Sequence, residues 1–354
     1  MNSNRLTSRL QHLDGLRGLA ILLVISFHVF SRWPEYLNFV HYTGNIIPFK
    51  YGMHGVQLFF MISGYVIFLS MDNCKNMINF LLKRWTRLFP AMLSCTAFIF
   101  LYSVFIHNRP AGTPNLTDAI PGITFIHPQL LNSIFHTTIN SLEGAFWTLY
   151  VEVFFYIFAG FIFFLMGRKI FMIMLFMMLP LYITGELVAP GAFELLFTCT
   201  GLHSFGWFYI GCCVYEIKNN NKNPVIIASL FITLTLNLLS GYILFKDNYG
   251  IGNIISLLTL FIIFIGSFYI PAFTTTMKNK YLLFFGFISY PLYLIHENLI
   301  VALSNSLISS FNLSGYFSIT SLIPSICIAI LFSYFIAKKI EPYVIRKLRN
   351  SYAG

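Results

Sequence analysis

The stretch LDGLRGLAILLVISFH, residues 13–28, is apolar enough to cross a bilayer, yet it carries Asp14, Arg17 and His28. On an α-helix, residues eleven apart are separated by close to three whole turns. Arg17 and His28 therefore fall on one face, about 16 Å apart along the axis. Asp14 precedes Arg17 by one turn and joins the same stripe. Ionisable side chains inside a hydrophobic span are costly unless they face a protein interior or a water-filled cavity. The stretch thus predicts a membrane helix with a functional face.

The remainder of the chain supports that reading. Of 354 residues, 57% are hydrophobic and only 10% are charged, too little charge to cover a soluble domain of this length. Forty Phe and twenty Tyr suit lipid-facing helices with aromatic anchors at the headgroups. The expected fold class is all-α: a polytopic membrane protein, one domain over residues 1–354 with its core at 13–337. Ten stretches meet the length of a span: 13–33, 51–71, 89–107, 145–166, 170–188, 203–217, 224–244, 251–270, 281–303 and 314–337. The sixth is the shortest. The first carries no cleavage signal and reads as a retained helix.

The net charge of +10 comes from residues set between hydrophobic runs, which orients a membrane protein and does not bind nucleic acid. With a cytoplasmic N-terminus, seventeen Lys and Arg lie inside, and only Arg32, Lys50, Arg109 and Lys246 lie outside. Both termini are then expected in the cytoplasm. The longest connection, residues 108–144, falls outside and contains NRPAGTPNLTDAIPG, too rich in Pro and Gly to be a further span. Six Cys without a CxxC pair suggest neither a disulfide framework nor a zinc site.

Several spans place polar groups at a similar depth. Helix geometry sets His28 in the outer half of the membrane, level with Glu152 in WTLYVEVFFY and with His296 and Glu297 in SYPLYLIHENLI. His54 and Gln57 lie outward on the second span, with Ser63 near its centre. A shared cavity accounts for this with one assumption. At the inner end, LLKRWTRLFP sets Arg84 and Arg87 one turn apart beside Lys83. Such a cluster suits phosphates, because arginine offers a planar fork of donors. The plainer readings are a snorkelling Arg17, an interfacial Trp147, and Arg84 and Arg87 as ordinary positive-inside residues. His12, His41, His107, His127, His136 and His203 sit near span ends or in loops and read as structural.

Taken together, LDGLRGLAILLVISFH, QLFFMISGYVIF, KRWTRLFP, GAFWTLYVEVFFY and ISYPLYLIHE resemble the acyltransferase 3 family of integral-membrane acyltransferases, in the family's order. The resemblance implies transfer of an acyl group, commonly acetyl, from cytoplasmic acyl-CoA to a hydroxyl of an extracytoplasmic acceptor. Such acceptors are envelope carbohydrates: O-antigen, exopolysaccharide, peptidoglycan or related glycolipids. It also implies a bacterial cytoplasmic-membrane setting, with membrane lipid around the helices. By position, His28 resembles the family's essential histidine, Arg17 its partner, and Arg84 and Arg87 the cytoplasmic arginine motif. Trp147 and Glu152 match a WSLxxE element in which Thr148 replaces the usual Ser. A C-terminal esterase-like domain, fused in some members, is not expected.

The mechanism this implies has acyl-CoA held by Arg17, Lys83, Arg84 and Arg87, and His28 as general base. Glu152 or Asp14 would support the imidazolium. Trp147, His54, Ser63, His296 and Glu297 would meet the acceptor. Direct transfer needs no metal; a covalent acyl-His or acyl-Ser63 intermediate is the other route. The rival class is a transporter or flippase for a lipid-linked or acylated glycan. No repeated halves of the kind many transporters carry are visible in the chain.

Overall fold

The computed structural model describes residues 10–219, 223–244 and 250–351, with side chains described as far as Lys347. Arg5, Arg9, Lys222, Lys246 and the side chain of Arg349, part of the charge count above, lie outside the described residues. Every described element is helical, as lipid requires, because a backbone with no water around it must satisfy its own polar groups. Ten helices build the bundle: α1 Gln11–Phe27, α2 Gly55–Asp72, α3 Met77–Ser103, α4 Trp147–Met166, α5 Arg168–Val188, α6 Phe205–Lys218, α7 Pro224–Leu244, α8 Ile251–Tyr269, α9 Lys280–Ser310 and α10 Leu322–Phe335.

Nine of the described helical stretches are long and apolar enough to cross a bilayer. α10 qualifies as the middle of the continuous helical stretch Gly315–Lys347; the exception is α6, whose 14 residues span about 21 Å. Its direction is set by its partner α2. Phe60 packs on Phe208 with ring centroids 4.7 Å apart, and Phe68 on Tyr215 at 5.2 Å, so the two helices run parallel. Arg168, at the start of α5, bonds Asp72 at the end of α2 and Glu216 near the end of α6. The starts of α5 and the ends of α2 and α6 thus share one end of the bundle. The chain must cross between Val188 and Lys218, and it does so as a broken segment. A short helix Glu194–Thr200 stops at Gly201, whose φ of 64° is left-handed, and Leu202–Ser204 leads into α6.

Helix ends differ from the expected spans where polar residues continue a helix beyond the bilayer. The third span was expected at 89–107. Instead α3 begins at Met77, capped by Asn76, whose side chain accepts from the Asn79 N–H at 2.9 Å, and it runs through Pro90. The first span leaves α-geometry at His28, where residues His28–Arg32 form a π-turn. Such turns are often found where side chains are re-aimed at functional sites.

The centre is formed by α1, α2 and α9, while α5 lies outside: 78% of the most apolar window of α9 is buried against 22% for α5. Helices in lipid gain little from the hydrophobic effect and must pack closely instead. Where α1 meets α9, a Cβ on Gly286 would run into the Asp14 carbonyl, and one on Gly18 into that of Leu282. Neither backbone can yield. Gly286→Leu is therefore expected to separate α1 from α9, lowering both the monodisperse yield on size-exclusion chromatography and the melting temperature. Gly250→Ala, at a position with open space, is the control that should leave both unchanged.

Candidate active site

On α1 the helical period delivers the expected stripe, but its members serve different neighbours. Arg17 Nη1 donates to Asp14 Oδ1 at 3.0 Å. Asp14 is thus the partner of Arg17 and lies nearly four turns, about 21 Å, from His28, so it is not the group that supports the imidazole.

His28 meets α9 instead. Its Nδ1 lies 3.0 Å from Val24 O and 3.2 Å from His296 Nε2. A carbonyl only accepts, so Nδ1 carries the proton. His296 Nδ1 lies 2.8 Å from Tyr293 O and is protonated for the same reason, which leaves its Nε2 as the acceptor facing His28. Two backbone carbonyls thereby fix both tautomers. In the neutral ring the lone pair is then on His28 Nε2, 3.6 Å from Glu297 Oε1. Glu297 is held by its other oxygen, which accepts from the Ala145 N–H at 2.8 Å. Gly144 permits this approach, since a Cβ there would sit 2.8 Å from Glu297 Oε2. The result is an unprotonated imidazole nitrogen beside a carboxylate placed to compensate a positive charge on the ring.

This centre opens into a cavity of about 470 Å³, lined among others by His28, Arg32, His54, Gln57, Trp147 and Glu297. His54 Nε2 is bonded to Asn253 Oδ1 on α8 at 3.0 Å. The cavity wall also contains Tyr182, His203, Trp207 and Asn237, which the sequence reading did not select. His203 packs against Trp147 with centroids 5.9 Å apart. It was read as an ordinary end-of-span residue; the glycine two positions before it, which breaks the segment, was the available signal.

A second, smaller cavity of about 70 Å³ lies toward the basic end and contains Arg17, Ser63, Arg87 and Glu152. Glu152 Oε1 accepts from Ser63 Oγ at 2.9 Å and from Tyr156 OH at 2.6 Å. It therefore stands with the arginines and not with His28, correcting the expected pairing. Ser63 likewise faces this inner space and not the acceptor side. Val56 and Tyr293 line both cavities.

The basic cluster on α3 also divides. Arg87 lines the inner cavity. Arg84 lies over the rings of Phe80 and Tyr156, 5.9 Å from each, and its buried Nε has no hydrogen-bond partner. Lys83 points elsewhere, with Nζ 3.4 Å from Cys74 Sγ, into a separate surface cavity beside Asn73 and Thr86. It does not join the other two.

Comparison with known proteins agrees with this arrangement of motifs. A family model described as an acyltransferase domain matches residues 10–338. The Peptidoglycan O-acetyltransferase OatA of Listeria monocytogenes is 33% identical over 121 residues, 32% of this chain and 17% of that protein. A protein of Acidianus two-tailed virus named "Putative acetyltransferase ORF330" is 27% identical over 237 residues, 64% of each chain. The matched regions thus span less than two thirds of either relative. No solved structure matches the chain at a significant level. With nearly its whole length matched, the chain belongs to the acyltransferase 3 family.

Proposed function

We propose that the protein transfers an acyl group, acetyl in the simplest case, from acyl-CoA to a carbohydrate hydroxyl across the membrane. The observation that carries this reading is the position of His28 Nε2. In the neutral ring it carries the lone pair; it is open to the larger cavity and 3.6 Å from Glu297, next to a second cavity lined by Arg17 and Arg87. The end bearing Lys75, Lys169, Lys218, Lys278, Lys280, Lys338 and Lys339 is the cytoplasmic one by the positive-inside rule. Acyl-CoA enters there, and the acceptor reaches the larger cavity from the opposite side. Trp147, Trp207 and Tyr182 offer ring faces, and Asn237 and Gln57 offer amides, a combination suited to a sugar with apolar faces and polar edges. The similarity to a relative named for peptidoglycan O-acetylation supports envelope glycans as the acceptor class.

In the reaction His28 Nε2 takes the proton of the acceptor hydroxyl while the oxygen attacks the thioester carbonyl. The imidazolium formed is compensated by Glu297. The tetrahedral adduct collapses, the C–S bond breaks, and the leaving thiolate takes the proton from His28 as free CoA. Arg17 and Arg87 hold the donor's anionic part or its polar arm.

The test uses detergent-purified protein, labelled acetyl-CoA and an envelope-glycan extract, reading label in glycan and release of CoA thiol. Movement of glycan across a vesicle membrane without CoA release would point to a transporter instead. Arg87→Ala is expected to raise KM for acetyl-CoA about tenfold or more with kcat nearly unchanged, the loss of one charge-assisted contact. Lys83→Ala, which faces the separate surface cavity, should change KM less than about twofold. Equal effects of the two substitutions would overturn the assignment of the inner cavity to the donor.

A further inference from the structure

The two cavities meet at Tyr293, where three oxygens form a triangle. Thr148 Oγ1 lies 2.9 Å from Tyr293 Oη, Tyr293 Oη lies 3.2 Å from Ala145 O, and Thr148 Oγ1 lies 3.2 Å from the same carbonyl. Two hydroxyl protons serve these three contacts. In one arrangement Thr148 donates to Tyr293, and Tyr293 donates to Ala145 O. When Thr148 turns its proton to Ala145 O, the Tyr293 proton is free and no buried carbonyl is left unpaired. An orphaned buried acceptor would otherwise oppose the move.

Position adds the second argument. Among the described residues, only Val56 and Tyr293 line both cavities, and Val56 has no donor. The other hydroxyls of the inner cavity are committed: Ser63 to Glu152, Ser289 to Gly286 O and Tyr290 to Leu88 O. Transfer from a donor in the inner cavity to an acceptor in the outer one must put the thioester carbonyl at this junction. The carbonyl oxygen becomes negative as the adduct forms, and a fixed donor aimed at that developing charge is commonly the largest single contribution to such catalysis.

We propose that Tyr293 is a further catalytic residue, donating its hydroxyl hydrogen bond to the thioester oxygen, with Thr148 as the positioning residue that takes over Ala145 O. The assignment rests on the acyl-transfer reading. As the new C–O bond forms, the carbonyl π pair moves onto oxygen and is met by the Tyr293 O–H, which stays protonated. Collapse restores C=O and expels the thiolate, and the Tyr293 O–H turns its hydrogen bond back to Ala145 O. Ala145 is shared by both functions, since its N–H holds Glu297 and its carbonyl accepts the Tyr293 hydrogen bond between turnovers.

Full-length Tyr293→Phe, assayed with acetyl-CoA and envelope-glycan extract, is expected to lose kcat about 100-fold or more. KM for acetyl-CoA and the melting temperature should stay near those of wild type. Thr148→Val is expected to lose kcat about tenfold, and Thr148→Ser, which keeps the hydroxyl, to restore it. A Tyr293→Phe enzyme with wild-type kcat, or one whose only change is a raised KM, overturns the assignment while leaving the transfer reading intact. Thr148→Val behaving as wild type removes the positioning role. A wild-type protein that releases no CoA removes the transfer reading and this assignment together.

Discussion

His28→Ala is expected to lower acyl transfer by about 10²–10⁴-fold, the usual contribution of a positioned general base, while the protein still inserts and purifies as a single species. Only Nε2 of this ring is free to accept a proton. Nδ1 is tied to Val24 O and His296 Nε2, and His296 is itself fixed by Tyr293 O. Neither alanine nor a water in its place reproduces a nitrogen lone pair held in this orientation. Glu297 acts through His28, compensating the charge formed when Nε2 is protonated, so Glu297→Gln should cost less than His28→Ala. Residues that work as a unit are non-additive. His28→Ala/Glu297→Ala should therefore be no slower than His28→Ala alone. Asp14→Asn tests a different contact, that with Arg17, and its effect should appear in donor affinity and not in the acid-base step. Single-turnover rates with labelled acetyl-CoA separate these cases. A His28→Ala protein that transfers at the wild-type rate would falsify the catalytic assignment.

The sequence carried much of this, and its omissions have physical reasons. Helical period and hydropathy are local properties, so the all-helical bundle and the common face of Asp14, Arg17 and His28 could be read directly. Depth was legible for His28, His296 and Glu297, which rise per residue places at one level. It was not for Glu152, which the same count sets level with them and which lies in the inner cavity with Arg17 and Arg87. Pairing was not legible. Which carboxylate meets His28 depends on how α1, α4 and α9 rotate against each other. That rotation is set by backbone approaches such as Gly18 and Gly286, which leave no periodic trace. The sequence therefore offers Glu152 and Asp14 to the imidazolium and Glu297 to the acceptor, whereas the fold gives the first two to the arginine side and sets Glu297 beside His28. Lys83 diverges from Arg87 through its side chain and not its helical position: the two lie one turn apart on one face, but the flexible Lys83 arm is turned out toward Cys74. Glu143 escaped notice because it stands in a long polar connection, where a carboxylate is ordinarily solvated.

That carboxylate supports the second large effect: Arg109→Met is expected to destabilise the protein by about 3–5 kcal/mol, the usual result of breaking a buried ion pair from one side. Glu143 and Arg109 are 0% and 3% exposed. Glu143 Oε1 takes Arg109 Nη2 at 3.5 Å and Tyr102 OH at 3.3 Å, and its Oε2 accepts from the N–H and side-chain amide of Asn298. Two residues on, Ala145 N–H holds Glu297, the neighbour of Asn298. The loop's carboxylate grips the backbone of α9, and the α9 carboxylate grips the backbone of the loop. Loss of the first grip should loosen the second, so activity falls with stability. Burial raises the Glu143 carboxyl to about 7, with Arg109 opposing the shift and Glu297 adding to it. A carboxyl raised in the folded state contributes fully below its unfolded value and loses that contribution as pH climbs through about 7. Without Arg109 the loss deepens and extends upward, so the difference in melting temperature between Arg109→Met and wild type should widen from roughly pH 6 to roughly pH 8. Arg109→Met/Glu143→Gln removes both charges and should recover much of the stability, but not the activity, because the carboxylate that holds Asn298 beside Glu297 is gone. Identical melting curves for Arg109→Met and wild type across that range would show that the pair bears no load in the fold.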